Sequence, residues 1–115
     1  MNNSLDLPTA IAVAADSKTD SETVILEVGE VLAITGWFVV TSGANSRQVR
    51  AITEEIERSI DEAGGPKPQR IEGLDDCKWV LMDYGDVIVH IFDNDTRDFY
   101  DLERLWRDVP RVEWS

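Results

Sequence analysis

Basic residues are scarce in this chain: 11 Lys and Arg stand against 23 Asp and Glu, a formal net charge of -12. A phosphate backbone is repelled by such a surface, which disfavours direct nucleic-acid binding as a function. Cysteine occurs once, at Cys77, so an internal disulfide and a cysteine-based zinc site are both excluded, and a reducing compartment fits. Histidine also occurs once, at His90. Long apolar runs are missing: the longest, Ala10 to Ala15, has six residues, against the ~20 that a membrane-spanning helix needs. No basic start leads into an apolar stretch of signal-peptide type. What is present is 115 residues, 43% of them hydrophobic, enough for the core of one domain. We expect a cytoplasmic protein with no membrane contact.

Pattern and punctuation divide the chain into elements. Pro8 sits where helices accept proline, and the alanine-rich stretch Thr9 to Asp16 predicts a first helix. Val24 to Val28 and Trp37 to Thr41 are short β-branched and aromatic runs bounded by turn formers, hence strands. Val49, Ile52, Ile56 and Ile60 then recur at helical spacing, which puts all four on one face. Asn45 with Gln48 resembles a capping box, Arg50, Glu54 and Arg58 offer opposite charges four residues apart, and Gly64 and Gly65 supply the stop. An edge strand is expected around Gln69 to Glu72, a hairpin over Lys78 to Phe92, and a last helix with Phe99, Leu102 and Trp106 on one face before Pro110. The order predicts an α+β fold with one mixed sheet.

With Tyr84 and Gly85 as the turn, Asp83 opposes Asp86, Met82 opposes Val87, Leu81 opposes Ile88, Val80 opposes Val89 and Trp79 opposes His90. One face then carries Val80, Met82, Val87, Val89 and Ile91, a core face. The other mixes Trp79, Leu81, Ile88 and Phe92 with Asp83, Asp86 and His90. Such a mixture suits a partner surface, and equally a second core layer with acids flanking a turn.

Several chemistries are suggested by single residues and lack the rest of their set. His90 has no second His or Cys for a metal site. Asp93, Asn94, Asp95 and Asp98 imitate the start of a calcium loop, but Arg97, Asp98 and Arg104 stand where a ligand, the turn glycine and the closing Glu belong. Ser42 and Gly43 before a helix suggest a phosphate cradle, and Asp83 with Asp86 a magnesium pair, which together make a small magnesium-dependent nucleotidyltransferase the alternative reading. No P-loop lysine accompanies them.

A longer pattern is more specific. Thr41-Ser42-Gly43-Ala44-Asn45-Ser46-Arg47-Gln48-Val49, Glu72-Gly73-Leu74, the hairpin Trp79 to Phe92, and Phe99-Tyr100-Asp101-Leu102-Glu103-Arg104-Leu105-Trp106 resemble, in order and spacing, the ribosomal silencing factor family, also called Iojap-related. The resemblance runs from about Thr9 to Val112 and departs from the family at Gly36, Trp37 and Ser42. It implies a nucleotidyltransferase-like mixed sheet of four to five strands packed with helices, without catalytic residues, cofactor or metal. Residues 1–8 are then a flexible start, 9–112 the family domain and 113–115 a tail. It further implies a factor that binds the large ribosomal subunit through ribosomal protein fourteen, blocks docking of the small subunit and represses translation under nutrient limitation. Mapping the family's partner surface onto this chain gives Trp79, Leu81, Asp83, Tyr84, Asp86 and His90, with Lys78 flanking. Self-association as a homodimer would suit Trp37 or Trp106 if either is exposed.

Overall fold

The β-branched runs pair into one five-stranded sheet in the computed structural model, which describes residues 5–115. In chain order the elements are α1 (Leu7–Asp16), β1 (Val24–Glu27), β2 (Trp37–Gly43), α2 (Ser46–Glu62), β3 (Arg70–Glu72), β4 (Trp79–Asp83), β5 (Val87–Asp93), α3 (Asn94–Tyr100) and α4 (Leu102–Leu105). The strand order is β1-β2-β5-β4-β3. Only β2 and β5 run parallel, and the other neighbours are antiparallel. The expectation of a mixed α+β sheet is met.

Alternation along the strands gives the sheet two apolar faces. α1 and α2 cover the first, where Ile11, Val39, Ile52, Ile56, Val80 and Val89 are fully buried. The second is a smaller core of Leu26, Val28, Phe38, Val40 and Phe92, closed by Leu102 with Leu32 and Trp106 at its margin. This division matters for function, because the second face has less helix to cover it than the first.

The ends of the elements carry their own capping. Asp6 accepts the Thr9 N–H at 3.4 Å and α1 begins at Leu7, with Pro8 just inside its start as expected. The rest of the expected flexible start, residues 1–4, lies outside the described residues. Asn45 accepts the Gln48 N–H at 2.9 Å, while Gln48 reaches back to the Ala44 N–H at 2.6 Å, one residue beyond the cap that a capping box would serve. The expected charge pairs on α2 change partners: Arg58 binds Glu55 and Glu62, and Arg50 donates to the Leu74 carbonyl at 2.7 Å. The 113–115 tail is anchored in part, since Trp114 packs on the first core and donates its indole N–H to the Thr23 carbonyl at 3.0 Å.

The hairpin corrects the expected turn. Asp83 opposes Ile88, Met82 opposes Val89, Leu81 opposes His90, Val80 opposes Ile91 and Trp79 opposes Phe92. The Tyr84 N–H donates to the Val87 carbonyl at 2.9 Å, so the two turn residues are Gly85 and Asp86. Gly85 has φ +87°, the positive value that a II′ turn requires at its first central position. The register therefore slides by two residues, which changes every cross-strand pair but preserves each residue's face.

Candidate functional site

Trp79, Leu81 and Asp83 of β4 and Ile88, His90 and Phe92 of β5 share the face turned away from α1 and α2. Part of that face is core: Phe92 is fully buried and His90 is 6% exposed. Trp79, Leu81, Asp83 and Ile88 are half-buried. Trp79 is the centre of the arrangement. Its indole N–H donates to His90 Nδ1 at 3.1 Å, and its ring centre lies 4.9 Å from that of Phe92 and 4.9 Å from that of Tyr100. Phe99 continues the series, edge-on to Tyr100 at 5.0 Å. An aromatic ladder thus climbs from Phe92 in the core to Phe99, which is 81% exposed. The Gly73 turn, at φ +94°, fixes the start of β4: a Cβ there would run into the Trp79 carbonyl.

His90 is held as a neutral base. Burial pushes its pKa down from 6.5 to about 4, and because Nδ1 accepts the indole proton, the ring proton sits on Nε2, which has no hydrogen-bond partner. His90 therefore positions Trp79 from beneath and exposes little of itself. The unfolded chain binds the histidine proton more readily than the folded one between pH 6.5 and 4, so this contribution is complete above pH 6.5 and lost on acidification. Urea unfolding should show roughly 2–3 kcal/mol less stability at pH 4.5 than at pH 7 from this group. His90→Phe should flatten that slope, and an unchanged slope would assign it to carboxylates such as Asp93. Burial raises the Asp93 pKa, but its bonds from Thr96 and the charge of Lys78 outweigh this and hold it low.

The other expected site residues scatter. Lys78 is exposed and leans toward Asp93 at 3.9 Å. Asp83 accepts the Gly85 N–H at 2.8 Å and faces Arg70 at 3.8 Å, so it serves the turn. Asp86 is exposed at the tip, while its carbonyl accepts the Gly36 and Trp37 N–H groups. Tyr84 is buried in the helix-side core, the face opposite to Trp79, with its hydroxyl unpartnered. Burial and then the charge of Glu57 push its pKa up to about 12. Trp37 and Trp106 are half-buried in their own chain, Trp106 edge-on to Phe38 at 5.4 Å.

Phe99 and Tyr100 are the aromatic residues that the spacing concealed. Phe99, Leu102 and Trp106 do not share one helix, because Asp101 takes a left-handed conformation at φ 49° and divides α3 from α4. Leu102 turns into the core while Phe99 faces solvent. Asp is one of the few residues that adopt this conformation readily, so Tyr100-Asp101-Leu102 carried the signal. Arg97 then clamps the two helices, donating to both carboxylate oxygens of Glu103 at 3.1 and 2.9 Å and to Ser42 Oγ at 2.9 Å.

The two halves of the nucleotidyltransferase reading do not meet. Ser42 and Gly43 lie at the Phe92–Asp93 end of β5, whereas Asp83 and Asp86 lie at its Val87 end. The intervening strand spans about 20 Å at about 3.3 Å per residue. At the start of α2, Asn45 and Gln48 side chains already occupy the Gln48 and Ala44 N–H groups that a phosphate would need. Among the described residues no group of three or more His, Cys, Asp and Glu is placed to hold a metal ion.

Comparison with known proteins identifies the family and the fold. The family model described as "Ribosomal silencing factor during starvation" matches residues 1–115. The ribosomal silencing factor RsfS of Bacillus subtilis is 38% identical over 102 residues, covering 89% of this chain and 86% of its own length. A crystal structure from Bacillus halodurans is 38% identical with a TM-score of 0.74, covering 90% of this chain and 93% of its own. One from Chromobacterium violaceum superposes with a TM-score of 0.83 at 26% identity, covering 96% of this chain and 90% of its own. With a family model spanning its whole length and a sheet that superposes on solved structures, the chain belongs to the ribosomal silencing factor family.

Proposed function

We propose that this protein binds the large ribosomal subunit through ribosomal protein fourteen, obstructs docking of the small subunit, and so represses translation when nutrients are short. It does this as a binding protein on a nucleotidyltransferase-like scaffold, not as an enzyme, and it works in the cytoplasm. The observation that carries the reading is the aromatic ladder on the second face: Trp79, packed against Phe92 and Tyr100 and hydrogen-bonded to His90, presents a preorganised amphipathic anchor. Preorganised aromatics of this kind dominate protein interfaces. Leu81 and Ile88 extend the apolar area beside it, and Lys78 and Asp86 lie at its rim. The buried His90 supports the indole from within, while Tyr84 packs in the core of the opposite face. An acidic chain of net charge -12 favours a basic ribosomal protein over bare RNA as the point of contact.

Binding kinetics on isolated large subunits test this reading. The chain should associate with large subunits and not with small ones, and the association rate should fall between low and moderate salt. Steering by exposed charge is screened beyond ~8–10 Å, while contacts already buried in the complex are not. The dissociation rate should change less. Absence of large-subunit binding contradicts the reading, and an association rate indifferent to salt removes charge from it.

A further inference from the structure

The geometry points to a receptor for one arginine side chain of a basic protein partner, in the groove between the start of β4 and α3, with Trp79, Tyr100 and Phe99 as its aromatic walls. This rests on the proposed reading that the second face docks a protein, and names the group that the groove takes. Three observations carry it. The first is the exposure of large rings at one place: Phe99 is 81% exposed and Tyr100 50%, in a helix that contributes no buried residue. Rings in open water at a groove are placed to be covered.

The second is that the rings support one another. Trp79 is hydrogen-bonded to His90 and packed against Phe92. Tyr100 lies on Trp79, and Phe99 on Tyr100 at 89°. Two differently tilted π faces therefore border one groove, and a planar guanidinium stacks on such faces more readily than a strongly hydrated ammonium. The third is charge. Asp76, Asp95 and Lys78 also line the groove, and Lys78 leans to Asp93 at 3.9 Å. Asp76 spends one oxygen on the Lys78 backbone N–H at 3.2 Å, and no ion pair engages Asp95 among the described residues. Carboxylates beside aromatic faces favour a cation, and they disfavour a nucleic-acid strand, whose backbone phosphates would bring like charge to the groove.

The test uses the full chain, isotope-labelled, titrated with acetyl-Arg-Arg-Arg-amide and, separately, with the isosteric citrulline peptide. The expected result is a set of chemical-shift changes centred on the Trp79 indole N–H and the Phe99 and Tyr100 amides, at least fivefold weaker with citrulline. Tyr100→Leu keeps apolar area and removes a π face, and should cut the arginine peptide's affinity about fivefold, while Tyr100→Phe keeps it. Changes spread over the acidic surface, or a Leu variant that binds as well as the parent, overturn the proposal. A parallel measurement of Tyr100→Leu on isolated large subunits separates the two claims. If the peptide binds in the groove but the chain does not bind large subunits, the receptor stands and the ribosomal reading falls. If large subunits bind while the peptide ignores the groove, the reverse holds.

Discussion

Val89→Asp is expected to abolish the folded state. Val89 is fully buried in β5, between β2 and β4, under the helices of the first face. A carboxylate there has no charge partner, and burying an unpaired charge belongs to the small class of substitutions that cost more than about 4 kcal/mol. That is comparable with the whole stability of an ordinary domain, ~5–15 kcal/mol. Circular dichroism of the purified variant should show a chain unfolded or aggregated at 25 °C under conditions where the parent is folded. A cooperative unfolding transition near that of the parent would mean that the first face is not the principal core.

Trp79→Ala should separate binding from folding. Trp79 is half-buried on the other face, so the variant should still fold, with stability reduced by about 1–3 kcal/mol through lost packing against Phe92 and Tyr100. Its loss also strips His90 Nδ1 of its donor. Binding to isolated large subunits should weaken by about 2 kcal/mol or more, roughly thirtyfold, as for a central aromatic anchor. Trp79→Phe, which keeps a ring but not the indole N–H, should fall between the two. A folded Trp79→Ala variant with parental affinity would falsify the assignment of this face as the docking surface.

The contrast between these variants also marks how far the sequence could be read. The two faces of the hairpin were legible because alternation has a period of two, and a slide of two residues leaves it intact. The pairing was not, because the turn was centred on Tyr84–Gly85 instead of Gly85–Asp86. The II′ preference for glycine in the first central position held the correction. The same alternation places Tyr84 with Val80 and Met82 on the helix-covered face, against its expected place on the surface with Trp79.

Elsewhere local spacing reached its limit where tertiary contacts decide. The α2 helix was legible from Val49, Ile52, Ile56 and Ile60, all buried as their period predicts. The last helix was not, because one residue in a left-handed conformation, Asp101, redirects everything after it. That break takes Phe99 off the face of Leu102 and Trp106, and the aromatic ladder exists only through the tertiary contact of Tyr100 with Trp79. His90 shows the complementary limit: a polar residue on a mixed face gave no sign that Phe38, 4.6 Å away, and Trp79 would bury it.

The most direct measurement of the central claim is subunit joining. Purified small and large subunits are mixed with increasing amounts of this protein under conditions that favour association, and the products are separated on a sucrose gradient. The account predicts a dose-dependent loss of joined ribosomes, with the protein travelling with the free large subunit, and a weaker effect for Trp79→Ala. An undiminished peak of joined ribosomes, with the protein demonstrably bound to their large subunits, would contradict it.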